Sequence, residues 1–234
     1  MRPGSRSAHA DRAPRQALAG GLAVAAILVG SIGRAVTLES RFTTSPLTID
    51  GTIGAAEWTP DAGVFALPHG TIHFENDASN LYLLYDMTGD PTLDSPTLDS
   101  HIIGFDVNRN GIGDPGIDVQ YATCGDGRLS VRAFLQDAAS CGWTGCRTTA
   151  AVVARGFGPS PASAADHVIF EVSIPFSEIQ AQAGQTLRVF LGYYSNTPGI
   201  FEMTPADECD FAEYLPLYLG PRTVKLRRHL KPAK

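Results

Sequence analysis

The sequence predicts an all-β chain. It reads as an antiparallel β-sandwich, jelly-roll or immunoglobulin-like, of about eight to ten strands behind an N-terminal signal segment. Three observations predict this. Short alternating or β-rich runs recur along the chain, clusters of Gly, Asp, Asn and Pro separate them, and helical periodicity is weak. Composition agrees: the 234 residues hold 24 Gly and 16 Pro, enough for many turns, and 44% are hydrophobic, enough for a core. Only 18% are charged, so neither a disordered chain nor a long helical bundle is expected.

The first strand pair is a hairpin. Residues 71–75 (TIHFE) alternate, 76–80 (NDASN) carry turn chemistry, and 81–86 (LYLLYD) supply the return strand. Further strands are expected at 101–107, 117–123, 129–136, 150–155, 167–174, 187–194 and 215–219. Only 177–183, between Pro175 and Gly184, and 53–58 offer a short helical turn. Residues 91–95 and 96–100 repeat the same five residues, PTLDS. Two copies are too few for a solenoid, so they read as a solvent-exposed loop lengthened by duplication.

Charge divides the chain into three parts, with the sandwich at 36–220 and a basic tail at 221–234. Residues 1–35 hold five arginines against Asp11 alone, a net of +4; the whole chain is −6, so the remainder carries −10. An acidic body excludes a nucleic-acid partner, which needs Lys and Arg against phosphate. The Arg-bearing start, the apolar stretch from Ala17 to Ile32 and the Gly33-Arg34-Ala35 site read as a signal peptide. The alternative is an uncleaved anchor, the chain's one route to a membrane. Either way the protein is expected to be secreted or held in the cell envelope.

Export makes the four cysteines disulfide candidates. The short spacing of Cys141 and Cys146 favours that pair, with Cys124 to Cys209, among three possible connectivities. A zinc site is the weaker reading, because no Cys-x-x-Cys pair is present and no histidine lies beside these cysteines.

The most specific motif runs from Asp106 to Asp118. Asp106, Asn108, Asn110, Gly111 and Asp114 match an oxygen-rich calcium loop, in which side chains at alternate positions and the Ile112 carbonyl converge on the ion. Gly111 permits the sharp turn. The twelfth position is Ile117 rather than a bidentate Glu, with Asp118 one residue late, and the flanks read as strands. The expectation is a calcium loop between two strands; a metal-free hairpin around Asn110-Gly111 competes with it.

Nothing in the sequence carries catalysis. The six histidines have no metal-ligand spacing, and neither a nucleophile elbow nor a phosphate-binding glycine loop is present. The chain is therefore read as a non-enzyme. Its aromatic residues point to binding instead. Trp58 and Trp143 are the only tryptophans, and Tyr193, Tyr194, Phe201, Phe211, Tyr214 and Tyr218 cluster late. Neighbours on a strand face opposite sides, so Tyr193 and Tyr194 cannot both be core. Exposed aromatics stack on sugar rings, which makes Trp143, Tyr193 and Tyr194 candidates for ligand contact.

Four motifs in order suggest a family. Residues 47–51 (LTIDG) followed by Glu57-Trp58, then Asn80-Leu81-Tyr82, the 101–106 strand with its acidic loop, and 172–176 (VSIPF) resemble family 9 carbohydrate-binding modules and related DOMON-like β-sandwich domains. The resemblance covers roughly 45–195. It implies a calcium-bearing sandwich that binds oligo- or polysaccharide, often beside a catalytic domain; DOMON relatives bind haem or sugar. Known members use a tryptophan pair as the sugar platform. Here Trp58 falls in the opening motif and reads as structural, leaving Trp143 without a tryptophan partner. Two further functions compete: a structural or adhesive envelope protein, and a haem-binding sandwich with an axial Met–His pair drawn from Met87, Met203, His101 and His167.

Overall fold

The computed structural model describes residues 37–54, 57–59, 63–95, 97–123, 129–137 and 140–221, with the backbone alone at 129–137, 140, 141 and 144. The expected signal segment 1–35 and the tail beyond Pro221 lie outside the described residues. Thirteen strands follow in chain order: β1 (Leu38–Phe42), β2 (Gly63–Leu67), β3 (Gly70–Asn76), β4 (Asn80–Met87), β5 (Asp99–Asp106), β6 (Val119–Thr123), β7 (Leu129–Asp137), β8 (Ser140–Arg147), β9 (Val152–Ser160), β10 (Ser163–Pro175), β11 (Thr186–Ser195), β12 (Ile200–Thr204) and β13 (Leu215–Leu219). The one described helical element is a 3-10 turn at Phe211–Glu213. The expected helical turn at 177–183 forms turns without a helix.

Sheet I runs β8-β7-β6-β5-β11-β13-β1 with β12 beside β11, and sheet II runs β1-β3-β4-β10-β9 with β2 beside β3. β1 belongs to both. Its residues Leu38–Ser40 pair parallel with β13, and Arg41 and Phe42 pair parallel with β3. The remaining pairings are antiparallel. The crossing is tied by side chains: Ser40 Oγ donates to Asn76 Oδ1, Asn76 Nδ2 donates to Gly220 O at 3.0 Å, and Gly220 N donates to Ser40 Oγ at 3.3 Å.

The count exceeds the expected eight to ten because β1, β2, β8 and β12 lack a strong strand signal. β1 (LESRF) carries two charges, β8 (SCGWTGCR) carries two glycines, and β12 (IFEMT) sits between Pro198 and Pro205. Their pairing partners, rather than their own propensity, make them strands.

Period-2 alternation fills the space between the sheets. Leu81, Leu83, Tyr85 and Met87 of β4, Val168, Phe170, Val172 and Ile174 of β10, Ile103 and Phe105 of β5, and Leu187, Val189, Leu191 and Tyr193 of β11 form one buried core. Tyr85 Oη crosses the gap and donates to Ile102 O at 2.8 Å.

A second layer lies on the outer face of sheet II, made by the segment after β1. Leu47, Ile49, Ile53 and Trp58 pack on Tyr82, Leu84 and Ile169. Glu171, fully buried on β10, holds this strap. One of its oxygens accepts from Asp50 N and Gly51 N at 2.9 and 2.8 Å, and the other accepts from Trp58 Nε1 at 2.8 Å. Gly51 (φ +84°) sits directly on Gly156 of β9, where an added Cβ would stand 1.7 Å from Gly51 O. The strap thus needs glycine on both sides of the contact. Trp58 keeps the structural role expected of it.

Inside the core, His101 has no exposed surface. Its ring packs on Phe170 at 5.0 Å and Tyr85 at 5.8 Å, and both ring nitrogens lack a hydrogen-bond partner. Burial pushes its pKa down from 6.5 to about 3, so the folded protein holds it neutral.

Two stability predictions follow from this packing. The unfolded chain protonates His101 below 6.5 while the fold resists protonation to about 3. Stability from this group is therefore complete above 6.5 and falls by about 1.4 kcal/mol per pH unit through that window. His101→Phe should raise stability at neutral pH and flatten this acid loss in urea titrations. An acid limb identical to that of the unsubstituted protein would contradict the assignment. Glu171→Ala should cost on the order of 3 kcal/mol, because it leaves the buried Gly51 N–H and Trp58 indole N–H, and the part-buried Asp50 N–H, without an acceptor. The same titration checks it, with a loss under ~1 kcal/mol marking the strap as peripheral.

Candidate functional site

The outer face of sheet I carries the aromatic residues. β11 points Arg188, Phe190, Gly192 and Tyr194 outward, opposite its core residues. Phe190, Phe211 and Tyr214 form a buried cluster, with Ile102, Trp143, Met203 and Cys209 packed against it. Phe211 and Tyr214 stack at 4.7 Å, Phe190 and Tyr214 at 5.9 Å, and Trp143 tilts on Phe211 at 6.0 Å. Gly104 stands opposite Phe190 in the ladder and leaves room for that ring and for Tyr214. Tyr214 Oη donates to Glu208 O at 2.7 Å.

Beside this stack, β12 pairs with the upper half of β11 and sets Phe201 opposite Tyr194. Their rings meet edge to face at 6.4 Å and 75°. Phe201 is 65% exposed, the most exposed of the large hydrophobic side chains described, and Tyr194 is half-buried.

The expected ligand residues therefore separate. Tyr194 lies on the surface and Trp143 is half-buried in the ring stack. Tyr193 is a correction: it has no exposed surface, belongs to the core, and donates to the buried Asp90 Oδ2 at 2.6 Å. Its register against inward-facing His101 fixes that side. Phe201 takes the surface place that Tyr193 was expected to fill.

The 106–118 loop keeps its expected position between β5 and β6. Its carboxylates work mostly within the loop. Asp106, buried, accepts from Asn110 N at 3.2 Å and Gly111 N at 2.8 Å and pairs with Arg188 Nε at 3.3 Å. Asp118, also buried, accepts from Val107 N at 2.9 Å and Asp114 N at 2.6 Å. Burial, with the like charges of Asp106 and Asp114, pushes the Asp118 carboxyl up to about 6. Asn108 and Asn110 both donate to Asp114 Oδ2, at 2.6 and 2.7 Å. Three of the expected ligand side chains thus reach one point, on the exposed side of the loop. Ile112 N donates to Asn110 Oδ1 at 2.8 Å, and its side chain is exposed. Among the described residues no three His, Cys, Asp or Glu side chains stand together as a metal site. On the Asn108–Asn110–Asp114 side the two amide N–H groups meet the Asp114 carboxylate, and on the Asp106 side Arg188 supplies a positive charge.

Arg188 also ties the loop to the aromatic stack, donating from Nη2 to Phe211 O and Ala212 O at 2.8 and 2.5 Å. Sequence reasoning passed over Arg188, whose role depends on the 3-10 turn folding back across β11.

The expected haem ligands are divided by the sheets. Met203 packs on the outer face of sheet I, while His101 and Met87 lie in the core. His167 is held by Asp86 Oδ1 at 2.5 Å and by Ala165 O. Met87 and His101 share the interior, where aromatic rings pack against the His101 imidazole.

Cys146 and Cys209 are each engaged in a disulfide. Cys124 and the Cys141 side chain lie outside the described residues. No described helix is long and apolar enough to cross a membrane.

No known family's sequence profile matches the chain, and no curated protein matches it. Among solved structures it is similar to a family 9 carbohydrate-binding module from Caldicellulosiruptor kristjanssonii in complex with glucose. The two are 13% identical with a TM-score of 0.50, over 82% of this chain and 100% of that one. At that identity the likeness speaks for architecture alone. The chain has a β-sandwich fold like that of a family 9 carbohydrate-binding module, in keeping with the motifs its sequence carries.

Proposed function

We propose that the protein is an exported, non-catalytic carbohydrate-binding module. Its contact surface is the outer face of sheet I around Tyr194 and Phe201. The observation that carries the reading is Phe201, a large aromatic side chain 65% exposed beside a second ring. The exposed ring beside a second ring offers an apolar aromatic surface for a partner to bury. Sugar rings present apolar C–H faces that stack on aromatic side chains, with hydroxyls at the rim for polar neighbours. The fold is of the kind seen in a glucose-bound module, and the export reading rests on the N-terminal sequence.

Calcium belongs to the proposal as a structural brace. Asn108, Asn110 and Asp114 would hold it, with the Ile112 carbonyl and with Asp106 and Asp118 behind them. A hard cation there would offset the mutual repulsion of Asp106, Asp114 and Asp118.

Two experiments test these statements. Binding to soluble cellobiose and to insoluble polysaccharides should be measurable, and Phe201→Ala and Tyr194→Ala should each weaken retention on the insoluble polysaccharides by on the order of tenfold. Failure of the unsubstituted protein to bind any of these, with calcium or with chelator, would replace this reading with the structural or adhesive one. Excess calcium should raise the melting temperature relative to chelator, by mass action on the folded state. Asp114→Ala should remove that rise. Equal melting of the unsubstituted protein in both conditions would reject the brace while leaving the sugar surface untouched.

A further inference from the structure

Near the 106–118 loop, where β6, the end of β8 and the turn after β10 meet, lies a cleft of about 330 Å3. That is the lower end of the size range of small-molecule sites. The aromatic face accounts for none of its lining. Glu178, Arg147 and Gln180 supply its polar groups, and Ile117, Val119 and Tyr121 its apolar walls.

Its carboxylate is fixed in place. Glu178 accepts from Tyr121 Oη at 2.8 Å, Thr149 Oγ1 at 2.5 Å and Ala150 N at 2.6 Å. Burial pushes the carboxyl up, but the hydrogen bonds from Thr149, Ala150 and Tyr121 outweigh it and leave the group below its ordinary value, hence ionised at neutral pH. Arg147 also lines the cleft and is exposed. Gln180 is held with φ +47°, and the other described non-glycine residue at positive φ is Arg109, at +63°. The two are joined, since Arg109 Nη2 donates to Gln180 O at 2.9 Å. Backbone in this sparsely populated region persists where surrounding structure enforces it, and such residues gather at ligand clamps.

We infer that this cleft is a second binding site, for a single neutral sugar residue. The inference rests on the carbohydrate reading above and adds a site to it. One carboxylate and one guanidinium leave the cleft without net charge, which favours an uncharged ligand over an ion. Glu178 Oε1, which holds one hydrogen bond against two on Oε2, accepts from a sugar hydroxyl, Arg147 and the Gln180 amide donate to others, and Ile117 with Val119 meets the ring's C–H face. The 106–118 loop forms one wall through Gly116 and Ile117, so the cleft and the proposed brace share an element.

Titration of the purified protein with D-glucose, followed by NMR and calorimetry, tests this. Arg147→Ala removes an exposed side chain. Gln180→Gly removes the amide while giving the left-handed backbone the residue it suits; neither substitution disturbs the Glu178 anchors. Each should weaken glucose binding at the cleft about tenfold, whereas Phe201→Ala should leave it unchanged and reduce retention on insoluble polysaccharide. Glucose affinity within about twofold of the unsubstituted protein in both cleft variants would overturn the second site. So would polysaccharide binding that depends on Phe201 with no glucose binding at all; in either case the aromatic surface stands. Binding to no carbohydrate would overturn both.

Discussion

The two-residue alternation of β11 is the constraint on which the arrangement turns. Leu187, Val189, Leu191 and Tyr193 point into the sandwich, so Arg188, Phe190, Gly192 and Tyr194 must face out. No residue of that strand can change sides without moving all of them. The inward set joins sheet I to sheet II. The outward set creates everything proposed to be functional on sheet I: Arg188 reaches Asp106 and the 3-10 turn, Phe190 seats Tyr214, and Tyr194 meets Phe201. β11 also pairs with three strands, β5 along its length, β13 at its start and β12 at its end. A slip of one residue would bury Arg188 and expose Tyr193 with its Asp90 partner.

Both outer faces carry material, which is unusual for a sheet that could simply meet water. On sheet II the cover is the strap, held by a carboxylate placed where water cannot reach. Burying Glu171 is costly, and burial pushes its carboxyl up. Two backbone N–H groups and the Trp58 indole offset that cost, in geometry available only when Gly51 rests on Gly156. The sequence pattern Asp50-Gly51 followed by Trp58 is therefore one device, not three separate preferences. On sheet I the cover is partial: the 205–214 segment closes over Phe190 and stops short of Phe201.

The strong strands were legible because their side chains record their surroundings. β4, β10 and β11 combine aromatic and branched residues in runs bounded by turn chemistry, and the prediction placed them within a few residues of their observed ends. β12 was not legible. Five residues between two prolines give no period to read, and without β12 nothing fixes which way Phe201 points. Tyr193 and Tyr194 show the same limit on a smaller scale. Adjacent positions guarantee that their sides differ, but only the register against His101 and Ser100 says which is inside. The 106–118 loop was legible in its turn, its Gly111 and its oxygen-rich positions. The arginine on Asp106 was not, because it arrives from eighty residues away along the chain.

That arginine alters how an oxygen-rich loop should be understood. A loop that depended on a cation would leave its acidic oxygens turned toward the ion. Here Asp106 and Asp118 use theirs to gather the N–H groups of Val107, Asn110, Gly111 and Asp114, so the turn is defined by its own backbone. Only Asp114, with the two asparagines, faces outward. Such a division separates shape from charge. The buried half sets the path of the chain from β5 to β6, and with it the wall that Gly116 and Ile117 lend to the neighbouring cleft. The exposed half keeps the Asp114 carboxylate with the two asparagine amides.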